Sequence, residues 1–227
     1  MPAVSIISSM ATRRILGDLV GAWKRKTGHN ATVLSIGGVD AAKRLRAGEA
    51  FDIAVLADDA LRVLASDGRI IAGSIVPFAR SAAAVAVPSG AGGPAPNDVD
   101  AIRRLLARAR RVGVSTGPSG KAVRTLLKSW GIGEPDCQIV EAAPGIPVAR
   151  LLASGDADLG FQQLSELLGE PGIDILGVVP ADVLPVTVFA MGICASATDV
   201  IGAQALIDEL RSADTAMTKQ QQGMEPG

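Results

Sequence analysis

Ser74-Ile75-Val76-Pro77-Phe78-Ala79-Arg80-Ser81-Ala82-Ala83-Ala84-Val85-Ala86-Val87 is the stretch that decides the fold. It is long, extended in character and rich in small residues. The loop Pro88-Ser89-Gly90-Ala91-Gly92-Gly93-Pro94-Ala95-Pro96-Asn97 closes it. A strand of that kind is suited to crossing from one domain to another. Upstream, strand and helix signals alternate. An apolar β run, buried from the second residue onward, covers residues 3–8. Residues 11–27 form an amphipathic helix with Ile15, Leu16, Leu19, Val20 and Trp23 on one face. A strand at 31–35 is broken by Gly37-Gly38, and a helix at 40–47 is capped by Gly48. A strand at 52–56 and a helix at 57–67, ending before Gly68, complete a βαβαβ series.

Downstream the same rhythm restarts. Helices are expected at 99–109, 120–130, 146–153 and 164–168, and strands at 111–115, 138–141 and 159–161. Residues 183–193 form a second long extended segment, and a helix at 201–213 returns near the carboxyl end. Two long segments, each between helical series, predict two α/β lobes joined by two crossings. Residues 1–79 and 190–227 form one discontinuous lobe and residues 80–189 the other. Residues 214–227, polar and containing Gln220, Gln221 and Gln222, read as a disordered tail. No short internal repeat is evident.

Composition narrows the function. The 227 residues are 48% hydrophobic and 20% charged with a net charge of −1, so no basic field recruits nucleic acid or an anionic membrane. The local excess of Arg103, Arg104, Arg108, Arg110 and Arg111 has roughly helical spacing and reads as a solvated helix face. Cys137 and Cys194 could form one disulfide but not a disulfide scaffold. The single histidine, His29, lies in a polar turn, so a His/Cys zinc site is nearly excluded. No run of ~18 apolar residues could span a membrane. The amino terminus has neither a basic n-region nor an apolar h-region, so the chain as written is expected to stay in the cytoplasm. A trimmed mature form would instead be periplasmic.

In open α/β sheets ligands bind beyond the carboxyl ends of the strands, at helix starts. Four stretches stand there: Ser8-Ser9-Met10-Ala11-Thr12, Gly37-Gly38-Val39-Asp40, Ser115-Thr116-Gly117-Pro118-Ser119-Gly120 and Ala143-Pro144-Gly145-Ile146-Pro147. Each offers unpaired N–H groups and small side chains at a positive dipole end. Taken singly, each is an ordinary helix cap; together they describe an anion pocket that needs no metal or other cofactor. Gly120-Lys121 is not a phosphate-binding P-loop, because the first glycine of that motif would fall on Ser115 and Ala122 replaces its Ser/Thr. Arg80 is placed to clamp a carboxylate, or to make a hinge salt bridge. Gln162 and Gln163 could bind a ligand or cap the next helix, and Asp58-Asp59 reads as a helix start more readily than as a metal pair.

Three stretches together resemble a known family. They are Ile7-Ser8-Ser9-Met10, Ala47-Gly48-Glu49-Ala50-Phe51-Asp52-Ile53-Ala54-Val55 and Ser154-Gly155-Asp156-Ala157-Asp158-Leu159-Gly160-Phe161-Gln162-Gln163. The chain resembles the molybdate-binding family of ABC-transporter solute receptors across nearly its whole length. The resemblance implies a type II periplasmic-binding-protein-like α/β fold. Its two lobes, each a mostly parallel sheet flanked by helices, close around a ligand. It also implies a small anionic ligand and, on export, a transporter membrane component as partner, with no membrane insertion. Ser8, Ser9, Met10, Gly38, Val39, Arg80, Ser119, Gly120, Ile146 and Gln163 are the ligand-binding candidates. Gly37-Gly38-Val39-Asp40 stands where molybdate binders carry serines, and the chain has no tyrosine to supply the usual hydroxyl near Gln162 and Gln163. Both departures favour a larger carboxylate, with Arg80 as counter-charge. The same fold resembles a minority of proteins that isomerise unsaturated carboxylates such as aconitate, which makes Asp40 the candidate base. A regulatory ligand-binding domain is a third reading.

Overall fold

The structure, a computed structural model, describes residues 3–133 and 137–227, so Pro2 in the expected first strand lies outside the described residues. The strands are β1 (Val4–Ser9), β2 (Ala31–Ile36), β3 (Ile53–Ala57), β4 (Val76–Ser81), β5 (Ala83–Pro88), β6 (Arg111–Val114), β7 (Gln138–Glu141), β8 (Leu159–Gln163), β9 (Ile173–Val178), β10 (Thr187–Ile193) and β11 (Glu225–Pro226). The α-helices are α1 (Arg13–Thr27), α2 (Gly38–Arg46), α3 (Asp58–Ser66), α4 (Val99–Arg108), α5 (Pro118–Ser129), α6 (Val148–Ala153), α7 (Leu164–Leu167), α8 (Val200–Arg211) and α9 (Ala216–Gln221). The chain divides into a unit of Met1–Arg80 with Val188–Gly227 and a unit of Ser81–Thr187.

In the first unit six strands run in the order β11-β4-β10-β3-β1-β2. Each face of the sheet has its own core, because alternate residues point to opposite sides. Ile6, Ile53, Val55, Phe189 and Met191 meet Ile15, Leu16 and Leu19 of α1 and Leu206, Ile207 and Leu210 of α8 on one face. Ile7, Ala54 and Leu56 meet Ala41, Leu45, Leu61 and Leu64 of α2 and α3 on the other. Each fully buried Ile, Leu or Phe contributes roughly 1.5–3 kcal/mol of transfer free energy, so the helix faces marked by hydrophobic spacing hold the layers together.

The second unit repeats the plan with five strands, β7-β6-β8-β5-β9. Helices α4 and α5 cover one face through Ile102, Leu105, Val123 and Leu127. Helix α6 and the single turn α7 cover the other through Ala149, Leu152 and Leu167. Each unit holds three parallel strands in the order second-first-third, β2-β1-β3 and β7-β6-β8. An antiparallel strand then joins the third, β10 beside β3 and β5 beside β8. The sheets are therefore mixed, with parallel pairing in the βαβαβ halves and antiparallel pairing where returning strands enter. The two halves also constitute a structural repeat that the sequence alone did not reveal.

Other expectations are revised. The extended stretch after Ser74 is two strands: β4 lies in the first sheet and β5 in the second, with Ala82 at the break. Of residues 183–193 only β10 is strand. Pro180 and Pro185 bound a turn before it, in which the N–H groups of Val183 and Leu184 both donate to Pro180 O. Edge strand β9 carries no clear alternation and went unrecognised; its Asp174 accepts hydrogen bonds from Ser89 Oγ and Gly90 N–H. Residues 214–227 are not a disordered tail. Helix α9 buries Lys219 (3% exposed), Met224 enters the core, β11 pairs with β4, and Gly227 N–H donates to Phe78 O. Polar composition misled there because Lys219 lays its stem over apolar surface. Its Nζ donates to Leu210 O at 2.9 Å and sits 4.7 Å from the centre of the Phe78 ring.

Candidate functional site

The carboxyl ends of the parallel strands form the rim of each unit. In the first unit the parallel register places Ser8 opposite Ser35 and Ser9 opposite Ile36. Ser8 Oγ and Ser35 Oγ are 2.8 Å apart, so one donates to the other. Ser9 is buried and opens a single 3-10 turn, Met10–Thr12, in which Thr12 Oγ1 donates to Ser9 O at 3.1 Å. Helix α2 starts beside them: a Cβ on Gly38 would lie 3.7 Å from Ser9 Cβ. No side chain caps α2, and Ala41 N–H makes its first backward bond, to Gly37 O. The N–H groups of Gly38, Val39 and Asp40 precede that bond and face out of the helix start. Ser9 thus stands beside Gly38 and Thr12, while Ser8 pairs with Ser35 at the ends of the same two strands. Ser35 was missed because it looks like a strand residue until the register is known.

The remaining first-unit candidates lie at its edge. Met10 is half-buried and Val39 exposed. Asp40 is in the first turn of α2, a position the helix dipole favours, with its carboxylate 3.7 Å from Lys43 Nζ. Arg80 is exposed, opposite Glu225 in the β4–β11 register. Asp58 pairs with Arg62, and no group of metal ligands occurs among the described residues.

In the second unit Ser115 and Ser119 are buried with their hydroxyls 3.4 Å apart, and Gly117 N–H donates to Ser115 Oγ at 3.3 Å. Helix α5 begins here with Pro at its start and no side-chain cap. Its first backward bond is Lys121 N–H to Gly117 O, so Ser119 and Gly120 N–H groups lead the helix unpaired by it. Gly120 is there for contact: a Cβ would overlap the backbone carbonyl of Ser115. That packing accounts for the glycine of the Gly-Lys pair. Ile146 is exposed in the turn before α6, its N–H donating to Ala143 O. Gln162 is a helix cap: Oε1 accepts from Val148 N–H at 2.7 Å and Nε2 donates to Glu166 at 2.8 Å. Gln163, also buried, donates from Nε2 to Thr187 Oγ1 at 2.8 Å.

Asp52, Cys137 and Cys194, whose pKa values are shifted, lie away from these rims. Burial alone would push the Asp52 carboxyl up, but hydrogen bonds from Ser5 N–H and Oγ, Thr198 N–H and Asp199 N–H outweigh it and hold the carboxyl below its ordinary value. Asp158 repeats the device in the second unit, accepting from Arg110 and Arg111 N–H and pairing with the Arg111 guanidinium at 3.2 Å. Each aspartate stands one residue before the third parallel strand and ties down the start of the first, which explains the two acidic stretches that carry the family resemblance. Cys137 and Cys194 are free and lie in the cores of different units, so they do not form the one disulfide that their number allows. Burial raises both thiols, Cys194 to about 12, and neither is a nucleophile at neutral pH. Arg103 stacks over Trp130 at 4.4 Å, and the exposed His29 stacks on Trp23.

The twofold βαβαβ plan with uncapped helix starts agrees with a family-level match: the model of bacterial extracellular solute-binding proteins covers residues 4–225. The chain belongs to that family. It is 30% identical to an aconitate isomerase from a Pseudomonas species over 98% of this chain and 87% of that protein. Its fold is that of the Azotobacter vinelandii periplasmic molybdate-binding protein, with a TM-score of 0.80, 20% identity, and 97% and 98% of the two chains covered. PEB3, a Campylobacter jejuni protein solved with L-phospholactate bound, superposes with a TM-score of 0.74 at 15% identity, covering 99% and 100%. The fold is built from two α/β units. No helix among the described residues is long and apolar enough to cross a membrane.

Proposed function

We propose that this solute-binding protein captures a small anion, a carboxylate or oxyanion, with its strand-end rims. The observation that carries the reading is the presence, in each unit, of serine hydroxyls at the strand ends together with an uncapped helix start: buried Ser9 beside α2, with buried Ser8 and half-buried Ser35 at the same strand ends, and buried Ser115 and Ser119 at the start of α5. Neutral donors and helix dipoles hold a dehydrated anion without the cost of burying a full counter-charge. Arg80, exposed and without an ion pair among the described residues, supplies long-range attraction. The molybdate-binding and L-phospholactate-bound neighbours support an anionic ligand class. Once exported, the protein would pass its ligand to the membrane component of an ABC transporter. Titration calorimetry with molybdate, tungstate, sulfate and a panel of di- and tricarboxylates tests this; saturable binding of one anion per chain is expected, and no binding at millimolar concentrations refutes it.

A second reading has one specific support, the full-length relative described as an aconitate isomerase. Isomerising an unsaturated carboxylate moves a proton between carbons, and we assign Asp40, in the first turn of α2, as its base. Proton NMR of cis- and trans-aconitate with the protein in D2O decides it. Interconversion that disappears in Asp40→Asn supports this reading, and an unchanged spectrum removes it.

A further inference from the structure

Three side-chain oxygens of the second unit are buried without a hydrogen-bond partner among the described residues: Ser81 Oγ, Gln163 Oε1 and Ser165 Oγ. Gln163 is only 1% exposed, and its amide is half used, with Nε2 committed to Thr187. A buried acceptor left unmet is costly, and native structures seldom tolerate one without a reason.

The register shows where this acceptor stands. Gln163 lies opposite Ala83 in the antiparallel β5–β8 pair, and Leu164 N–H extends the ladder to Ala82 O. As opposite residues of an antiparallel pair, Ala83 and Gln163 share one face of the sheet. That is the face packed by α5, since Ala83, Val85 and Phe161 share a core with Val123 and Leu127. Helix α5 begins at the same, carboxyl-terminal end of the sheet, with the leading N–H groups of Ser119 and Gly120. The free acceptor therefore shares a face and an end with the free donors.

We infer that the ligand carries a hydroxyl beside its anionic group, making it a hydroxycarboxylate. The start of α5 takes the carboxylate, and Gln163 Oε1 accepts a hydrogen bond from the hydroxyl. A bare dianion such as molybdate or sulfate has no proton to give and would leave Gln163 unmet. This inference rests on the anion reading above and narrows it to a substrate class.

The test is calorimetry with the whole chain on two matched pairs, L-malate against succinate and citrate against tricarballylate, with molybdate alongside. The hydroxylated member of at least one pair is expected to bind 10–100-fold tighter, the cost of stranding a buried polar group. In Gln163→Met, of similar length but without the carbonyl, that advantage should fall to less than about threefold through weaker binding of the hydroxy acid. Equal binding within both pairs, the result if the amide faced the other way, overturns the inference and leaves the anion reading intact. So does molybdate binding tighter than either hydroxy acid. Binding of no anion overturns both.

Discussion

Asp52 shows how one side chain can set the pH range of the fold. Its carboxylate accepts from Ser5, Thr198 and Asp199, so it joins the start of β1, the start of β3 and the segment leading into α8. Its folded pKa lies below the unfolded value, so its stabilisation is full above that unfolded value and is lost as pH falls through the folded one. Asp52→Asn is expected to cost about 2–3 kcal/mol at pH 7. It should also flatten the loss of stability below pH 4, as read by urea denaturation across pH. Lys219 has the opposite signature. Burial first, and then the nearby Arg211, lower it to about 8. Between there and the ordinary 10.5 the unfolded chain binds more protons than the folded one, so stability rises with pH by roughly 3 kcal/mol at most. Lys219→Met should remove that rise, measured as the difference between the two proteins from pH 7.5 to 10.5.

Elements were legible wherever periodicity and punctuation agreed. Helix α1 shows its buried face as Ile15, Leu16, Leu19, Val20 and Trp23 and ends at Gly28, whose φ of 75° suits a left-handed cap. Strand β9 and helix α9 were not legible, because their residues are half-exposed or polar and tertiary contacts alone fix them. The rim was half legible. Ser8, Ser9, Ser119 and Gly120 follow from the rule that ligands gather at strand ends. Ser35 needs the β1–β2 register, and the capping role of Gln162 needs α6 to be in place. The start of α5 makes a prediction at this scale. Gly120→Ala would press a methyl group into the Ser115 carbonyl, so α5 must move off β6. The expected cost is about 3 kcal/mol, with anion affinity reduced at least tenfold in calorimetry.

Across the whole molecule, two copies of one βαβαβ plan repeat the same two devices. An aspartate before the third strand fastens one end of each parallel triplet, and an uncapped helix start with serine hydroxyls opens the other. A sequence scan for repeats does not see this, because what recurs is topology and a few residues: Gly48 and Asp52 in one half, Gly155 and Asp158 in the other. Structure and chemistry are separated along the strands, with rigid aspartate anchors at one end and free donors at the other. Ligand binding should therefore stabilise the fold without disturbing the anchors. An anion at a hundred times its Kd should add about 2.7 kcal/mol, or roughly 2–4 °C in Tm for a chain of this length.

The most direct test of anion capture is titration calorimetry of the natural chain and the Ser8→Ala/Ser35→Ala double variant against molybdate, sulfate, malate and citrate. The account predicts saturable binding of one anion per chain, weakened at least tenfold in the double variant while its Tm without ligand stays within a few degrees. Equal affinity in the two proteins, or no binding of any of the four anions, would contradict it.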